Sequence, residues 1–363
     1  MPILFRYLLR EFSKIFFMCF AGLMTIYLVI DFFEKVRRFL RHDAQWLDVL
    51  AYFALKMPGI SFQIVPLAIL MATLLTLGLL SRNHEITAMR SCGISLAWIA
   101  SPFLTFAVCM ALILLLFSAA VIPLAENEAE EIRVVRIEKK PASAVLTLPQ
   151  PWARVDADTF LHVKSVAIGG TALGNIQLFH FDRAFRLIDM IEAEEARYAD
   201  HAWTLYRGFQ RRFHRDGIVA VRQFDQQLAS LTLIPNDFTG ALAGSSESMT
   251  FHDIRGHTRR LYQNGSQFRQ LLTDYHGRIA FPFVTIIMVL IGIALSLRRS
   301  GTRGGSMAAG IGQALIVGFS YWAAHSIAIA LGRGGALPPL AAGWMTNALF
   351  LSYGLYLMLK VRY

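Results

Sequence analysis

Six stretches of this chain are each long and apolar enough to cross a bilayer as a helix, at about 15–34, 51–80, 95–124, 279–297, 307–331 and 338–359. A hydrocarbon core about 30 Å thick takes roughly 20 apolar helical residues, and inside it only a helix or a closed barrel satisfies its own backbone polar groups. Three runs precede a long polar region and three follow it. The pattern predicts an α-helical polytopic membrane protein with six transmembrane helices, 3+3, around an inserted domain. Residues 1–125 would form the first membrane half, 126–277 the inserted region and 278–363 the second half. The composition agrees, with 55% hydrophobic residues, 17% charged residues and a mean hydropathy of +0.47, far from an ordinary soluble domain. The second and third runs, near 30 residues, would extend about 45 Å as helices and must tilt or bend. Pro58, Gly59, Pro66 and Pro102 supply bends. The opening MPILFRYLLREFSKIFF has no short apolar core followed by a small-residue cleavage site, so the first run is expected to be a retained helix.

Between residues 143 and 235 the period changes from helical to alternating, in WARVDADTFLHVKSVAI, NIQLFHFD, FRLIDMIEAEEARY, AWTLYRGFQRRF and GIVAVRQFDQQL, separated by Asp, Gly and Asn signals. This predicts an all-β domain of at least six antiparallel strands, a sandwich or jelly roll. The three cysteines, Cys19, Cys92 and Cys109, all lie outside the polar region, which therefore folds without disulfides. NDFTGALAGSSESM, 236–249, reads as a linker, and the segment after it as two amphipathic helices broken at Asn264-Gly265.

The formal charge is +10 and the pI about 9.7. In a membrane chain this fits contact with anionic lipid, and no nucleic-acid-binding motif is present. An even number of helices puts both termini on one side and the β domain on the other. With the termini inside, short inner segments hold more cations (Arg6, Arg10, Lys14, Arg82, Arg90, Arg298, Arg299, Arg303, Lys360, Arg362) than outer ones (Lys35, Arg37, Arg38, Arg41, Arg333), as the positive-inside tendency asks. Counting the edges of the β region (Arg133, Arg136, Lys139, Lys140, Arg259, Arg260, Arg269, Arg278) reverses the balance. Cations from three separate places would then meet one outer boundary.

Several chemistries lack their residues. There is no phosphate loop, since RRSGTRGGSMAAG has neither the lysine nor the preceding strand, and no H-E-x-x-H, paired C-x-x-C or G-x-S-x-G. The chain should not hydrolyse ATP by itself, and no cofactor or metal site is expected. Glu126, Glu128, Glu130, Glu131 and Glu138 resemble a solvated helix face with arginine partners. His325 stands alone in an apolar run, where an imidazole bonded to a neighbouring helix is the commoner case and a functional group the rarer one.

LLSRNHEITAMRSCGIS predicts a helix over about 82–92 that is too short to span a membrane. Ser81 or Asn83 could cap it, Glu85 would sit in the first turn, and Gly93 would end it. Ile86 and Met89 share a face, and Arg82 and Glu85 could pair at i,i+3. Two readings stay open: Glu85 only supports the helix N-terminus, or the helix, with Arg82, Ile86, Met89 and Arg90, presents Glu85 to a cytoplasmic motor.

LGLLSRNHEITAMRSCGIS, the helix–β–helix order, HGRIAFPFVTIIMVLIGIALSLRRSG and GGALPPLAAGWMTNALFLSYGLYLM together resemble the lipopolysaccharide-export permease family LptF/LptG over essentially the whole chain. FFEKVRRF and WARVDADTFLHVKSV look more like the LptG branch. The resemblance implies an inner-membrane subunit of Gram-negative bacteria with cytoplasmic termini and a periplasmic β-jelly-roll. Such a subunit pairs with LptF, is driven by two copies of the ATPase LptB, and is joined by LptC. It extracts lipopolysaccharide and passes it to a periplasmic bridge. The family's coupling-helix glutamate matches Glu85, its basic pair at the end of the first helix matches Arg37 and Arg38, and an arginine after the third helix matches Arg133. Lys35 and Arg41 join that candidate phosphate site by proximity alone. Asp31 stands where some relatives have lysine, and Gly59, with Lys56 one turn earlier, where relatives have a basic residue. Acyl chains would occupy an apolar cavity lined by the first, second and fifth helices. The alternatives from other classes are a membrane scaffold or signalling protein with an external partner-binding β domain, and an ion-coupled transporter using Asp31 and His325.

Overall fold

Strand alternation in the middle of the chain becomes a single antiparallel ladder in the computed structural model. The structure describes residues 2–42, 44–138, 145–147, 152–156, 158–167, 170–182, 184–199, 201–214, 217–229, 231, 235, 265–299 and 307–360. The linker at 236–249 and the first of the two expected amphipathic helices lie outside the described residues. By internal packing the chain divides into two compact units, Met1–Arg37 with Phe53–Ala125 and Leu272–Tyr363, and Arg38–Tyr52 with Glu126–Leu271.

The first unit is helical. Its main elements are α1 (Pro2–Arg41), α2 (Trp46–Arg82), α3 (Glu85–Ser91), α4 (Leu96–Leu116), α6 (Gly265–Ala280), α7 (Val284–Arg299), α8 (Met307–Arg333) and α9 (Pro339–Leu359). Among the described residues, five stretches are long and apolar enough to cross a membrane: Ile3–Arg41, Trp46–Arg82, Leu96–Ile137, Arg269–Leu297 and Ala309–Arg333. The stretch expected as a sixth span is helical, as α9, 21 residues long. It falls outside that set because Thr346, Asn347, Ser352 and two tyrosines dilute its hydropathy. Leu8, Phe12 and Phe16 of α1, Ile69 and Ala72 of α2, and Phe103 and Ala107 of α4 form the principal apolar core, with Ile86 and Met89 of α3 in the same cluster. Where helices pass closely the residue is small. A Cβ on Gly343 would lie 2.8 Å from the His276 backbone, and one on Gly292 2.8 Å from Thr73. This is the small-residue packing expected where lipid offers no hydrophobic contrast between helices.

At two proline-linked irregularities a backbone carbonyl receives a side chain from a distant element. After α4 the chain makes a π turn, Phe117–Val121, before α5 (Ile122–Glu131). The amide of Ile122 bonds Phe117, so in this register the Ser118 carbonyl would need the N–H of residue 123, which is proline. Arg278 Nη2 donates to that carbonyl at 2.6 Å. Between α6 and α7 lies the 3₁₀ turn Phe281–Phe283, where the Val284 amide bonds Phe281 and Pro282 rather than Ala280. Asn347 Nδ2 supplies the Ala280 carbonyl at 2.6 Å, and the Tyr321 hydroxyl donates to Asn347 Oδ1 at 2.7 Å.

The second unit carries β1 (Val145–Thr147), β2 (Trp152–Arg154), β3 (Thr159–Ala167), β4 (Ala172–Phe181), β5 (Leu187–Ala199), β6 (Ala202–His214) and β7 (Gly217–Ala229). The order is β1-β3-β4-β5-β6-β7, with β2 also on β3. One row crosses the whole sheet: pairing steps from Val163↔Ile176 to Ser165↔Gly174, from Ala193↔Gly208 to Glu195↔Tyr206, and from Gly208↔Phe224 to Tyr206↔Gln226. Lys164, Asn175, Glu194, Arg207 and Asp225 are thus left unpaired side by side. Asn175 and Arg207 both have φ near +49°, and Arg207 Nε meets Glu194 Oε2 at 2.8 Å. In β3 to β5 the inward-facing parity slips by one at this row, from Leu161 and Val163 to Val166, from Leu178 and Ile176 to Leu173, and from Ala193 to Ala196. The strands turn a corner there while keeping one apolar face around Trp203, Leu205 and Phe224.

Candidate functional site

The short helix α3 is better defined than its sequence promised. It runs seven residues, and its stop is a Schellman arrangement: Gly93 at φ +82°, Gly93 N to Arg90 O at 2.9 Å and Ile94 N to Met89 O at 3.1 Å. Its start differs from the expectation. α2 continues to Arg82, and the residue before α3 is His84, left-handed at φ 61° and without a side-chain cap. Neither Ser81 nor Asn83 caps α3. Because Asn83 and His84 turn the chain between the two helices, Arg82 and Glu85 are not on one helix face, and they form no ion pair among the described residues. The Glu85 carboxylate is held from elsewhere. Tyr7 of α1 donates its hydroxyl to Oε2 at 2.9 Å, and Asn83 Nδ2 reaches Oε1 at 3.3 Å. Ile86 and Met89 are buried in the α1–α4 core, while Arg82 and Arg90 are exposed and Glu85 is half-buried. α3 is therefore seated by its apolar face with a fixed carboxylate and two exposed cations around it.

The cations at the far end of α1 divide by whether a carboxylate already holds them. Lys35 Nζ closes on both Asp31 oxygens, at 2.7 and 2.8 Å. Asp31 thus neutralises the lysine one turn later. Arg37 and Arg41 are exposed and form no ion pair among the described residues; Arg38 lies within α1. In the second unit, Arg133 sits in a π turn, Ile132–Ile137, where Glu138 N bonds Arg133 O at 2.9 Å. Its guanidinium binds Glu130 through two nitrogens and reaches Glu138 at 3.5 Å. Arg136 meets Asp48 at 3.5 Å, and in the first unit Arg333 meets Asp274 at 2.7 Å.

An apolar groove of about 500 Å³ lies in the first unit, lined by Pro66 and Leu67 of α2, Met288 of α7, and Phe319 and Trp322 of α8. Its walls are the second, fourth and fifth membrane helices, so the first helix expected in such a lining is not among them. His325 stacks on Tyr321 with ring centroids 5.8 Å apart, and its Nδ1 finds no hydrogen-bond partner among the described residues. It packs as an aromatic instead of bonding a neighbouring helix.

The family model for the lipopolysaccharide export system permease LptF/LptG matches residues 6–360. The chain belongs to that family. It is 21% identical to the lipopolysaccharide export system permease protein LptG of Escherichia coli, over 99% of this chain and 98% of that protein. It is 23% identical to LptG of Haemophilus influenzae over 85% of each chain. LptF of Escherichia coli is 28% identical, but over 45% of this chain and 44% of its own. As an LptF/LptG permease it is a membrane subunit of lipopolysaccharide export, built of membrane helices around an inserted antiparallel sheet domain. Tyr7 and Asn347 did not stand out in the sequence, and Asn83 did so as a cap rather than as a partner of Glu85, since each acts on a group set by the fold. For Tyr7 the only available signal was a phenol at the start of a membrane helix.

Proposed function

We propose that this chain is the LptG-like half of an ABC-type permease. In this reading it extracts lipopolysaccharide from the inner membrane of a Gram-negative bacterium and passes it to a periplasmic bridge. The observation that supports this most is α3: a seven-residue helix, buried through Ile86 and Met89, that presents Glu85 in a chain whose family exports lipopolysaccharide. The work would come from a separate cytoplasmic ATPase of the LptB kind, two copies serving this chain and an LptF partner, with LptC joining them. The termini would be cytoplasmic and the β domain periplasmic. Arg37, Arg38 and Arg41 would meet lipid A phosphates first, because a guanidinium can give a phosphate two charge-assisted hydrogen bonds. Lys35 and Arg133 would join only by exchanging the carboxylates they hold. Acyl chains would take apolar grooves such as the one beside Trp322.

The test is reconstitution of the chain with its LptF partner and ATPase in lipid vesicles. Glu85→Ala and Glu85→Arg should lower ATPase association and lipopolysaccharide release while the β domain still folds. Normal association in both variants would remove α3 from the mechanism.

A further inference from the structure

We propose that Tyr7 is a positioning residue for the coupling carboxylate, aiming Glu85 at its partner and tying α3 to the first membrane helix. The proposal rests on the coupling role given to Glu85 above. Three observations carry it. The Tyr7 hydroxyl donates to Glu85 Oε2 at 2.9 Å across a sequence separation of 78 residues. Asn83 takes the other oxygen at 3.3 Å, so the carboxylate is oriented from two sides. A carboxylate has about four acceptor positions, so two donors fix its plane and leave the remaining lone pairs for a cationic or amide donor of the ATPase. Finally, Leu8 and Phe12, on the same α1 segment as Tyr7, are buried in the cluster that receives Ile86 and Met89 of α3. The polar link therefore lies over an apolar one, and a displacement of α3 is passed to α1. That helix runs from Pro2 to Arg41 without interruption and ends in the cations assigned above to lipid headgroups. The phenol is suited to this place: an amphipathic ring near the start of a membrane helix whose hydroxyl reaches a charge.

The experiment is a double-mutant cycle on ATPase binding by the complete permease complex in nanodiscs, using Tyr7→Phe, Glu85→Gln and both together. Phenylalanine keeps the ring, so loss of packing is not confounded with loss of the hydroxyl, and equal thermal midpoints of the variants check this. Tyr7→Phe should weaken ATPase binding by about threefold to tenfold, the range for one hydrogen bond to a charged group at a partly wet site. In the Glu85→Gln background it should weaken binding by a clearly smaller factor. Lipopolysaccharide released per ATP hydrolysed should also fall in Tyr7→Phe. If Glu85→Ala weakens binding but Tyr7→Phe does not, or if the two changes are additive, the positioning role is overturned and the coupling assignment stands. If Glu85→Ala leaves binding intact, both fall.

Discussion

Asn347→Leu is the substitution whose consequence follows most directly from the fold, because the side chain is 5% exposed and both ends of its amide are committed. Nδ2 donates to the Ala280 carbonyl at the start of the 3₁₀ turn around Pro282, and Oδ1 receives the Tyr321 hydroxyl. Leucine keeps the branched four-atom side-chain skeleton with bulkier methyl ends and has a better helix propensity by a few tenths of a kcal/mol, so propensity alone predicts a slightly stabilising change. The polar side decides otherwise. Interhelical hydrogen bonds in membranes average about 0.6 kcal/mol and reach about 1.7 kcal/mol, and an orphaned buried group costs about 1–3 kcal/mol. Two bonds lost and the Tyr321 hydroxyl stranded should therefore destabilise the bundle by about 1–3 kcal/mol. The sharper expectation is a change of sign. Tyr321→Phe alone should destabilise by about 0.5–1.5 kcal/mol, having taken the donor from Oδ1. In the Asn347→Leu background it should be neutral or stabilising, because there the hydroxyl is a stranded group. Unfolding in mixed micelles, titrated with a denaturing detergent, measures all four corners. An equal cost for Tyr321→Phe in both backgrounds would show that these residues do not act as a unit.

Other positions yield to the same reasoning. Gly208→Ala puts a Cβ into overlap with the Glu192 carbonyl and the Phe224 ring; overpacking against backbone should cost more than about 2 kcal/mol and expose the β domain to limited proteolysis in the intact chain. Arg278→Met removes the donor from the Ser118 carbonyl; the thermal midpoint of the membrane unit should fall, by the equivalent of about 1–3 kcal/mol, while Arg278→Lys should recover part of it. Replacing Arg37 and Arg41 together with Glu should reduce photo-crosslinking of lipopolysaccharide to α1 severalfold, and Lys35→Ala should reduce it less, since Lys35 is already held by Asp31. Equal losses in the two cases would mean that carboxylate pairing does not control phosphate contact.

The sequence was most informative where period alone decides structure. Alternation over 143–235 anticipated at least six short antiparallel strands, where seven pair and β3–β7 run 9 to 13 residues, and apolar runs anticipated the membrane helices, because both signals are local. Gly93 likewise announced the end of α3, since a left-handed stop needs glycine. Spacing misled at Arg82 and Glu85. An i,i+3 relation presumes one helix, and a two-residue turn at Asn83-His84 breaks it without a proline or glycine to betray the break. The corner across the sheet was not legible because it is a property of register: Lys164, Asn175, Glu194, Arg207 and Asp225 come together only once five strands are paired. The bonds made by Arg278 and Asn347 are hidden for the same reason, each acting on a backbone carbonyl of a distant element.

Pairing also changes how a charge of +10 is to be read. Counted along the chain, the cations at the outer boundary expected from the sequence form one positive field, yet Lys35, Arg133, Arg136 and Arg333 each have a carboxylate within 4 Å. An exposed ion pair contributes only about 0–1 kcal/mol, so a phosphate offering two oxygens can displace Asp48 from Arg136, whose side chain is 64% exposed. The Asp31–Lys35 pair is harder to break, with side chains 13% and 28% exposed, because removing one partner leaves a charge in a drier place. A phosphorylated lipid would therefore engage the exposed guanidiniums of Arg37 and Arg41 first and exchange partners with the paired cations afterwards.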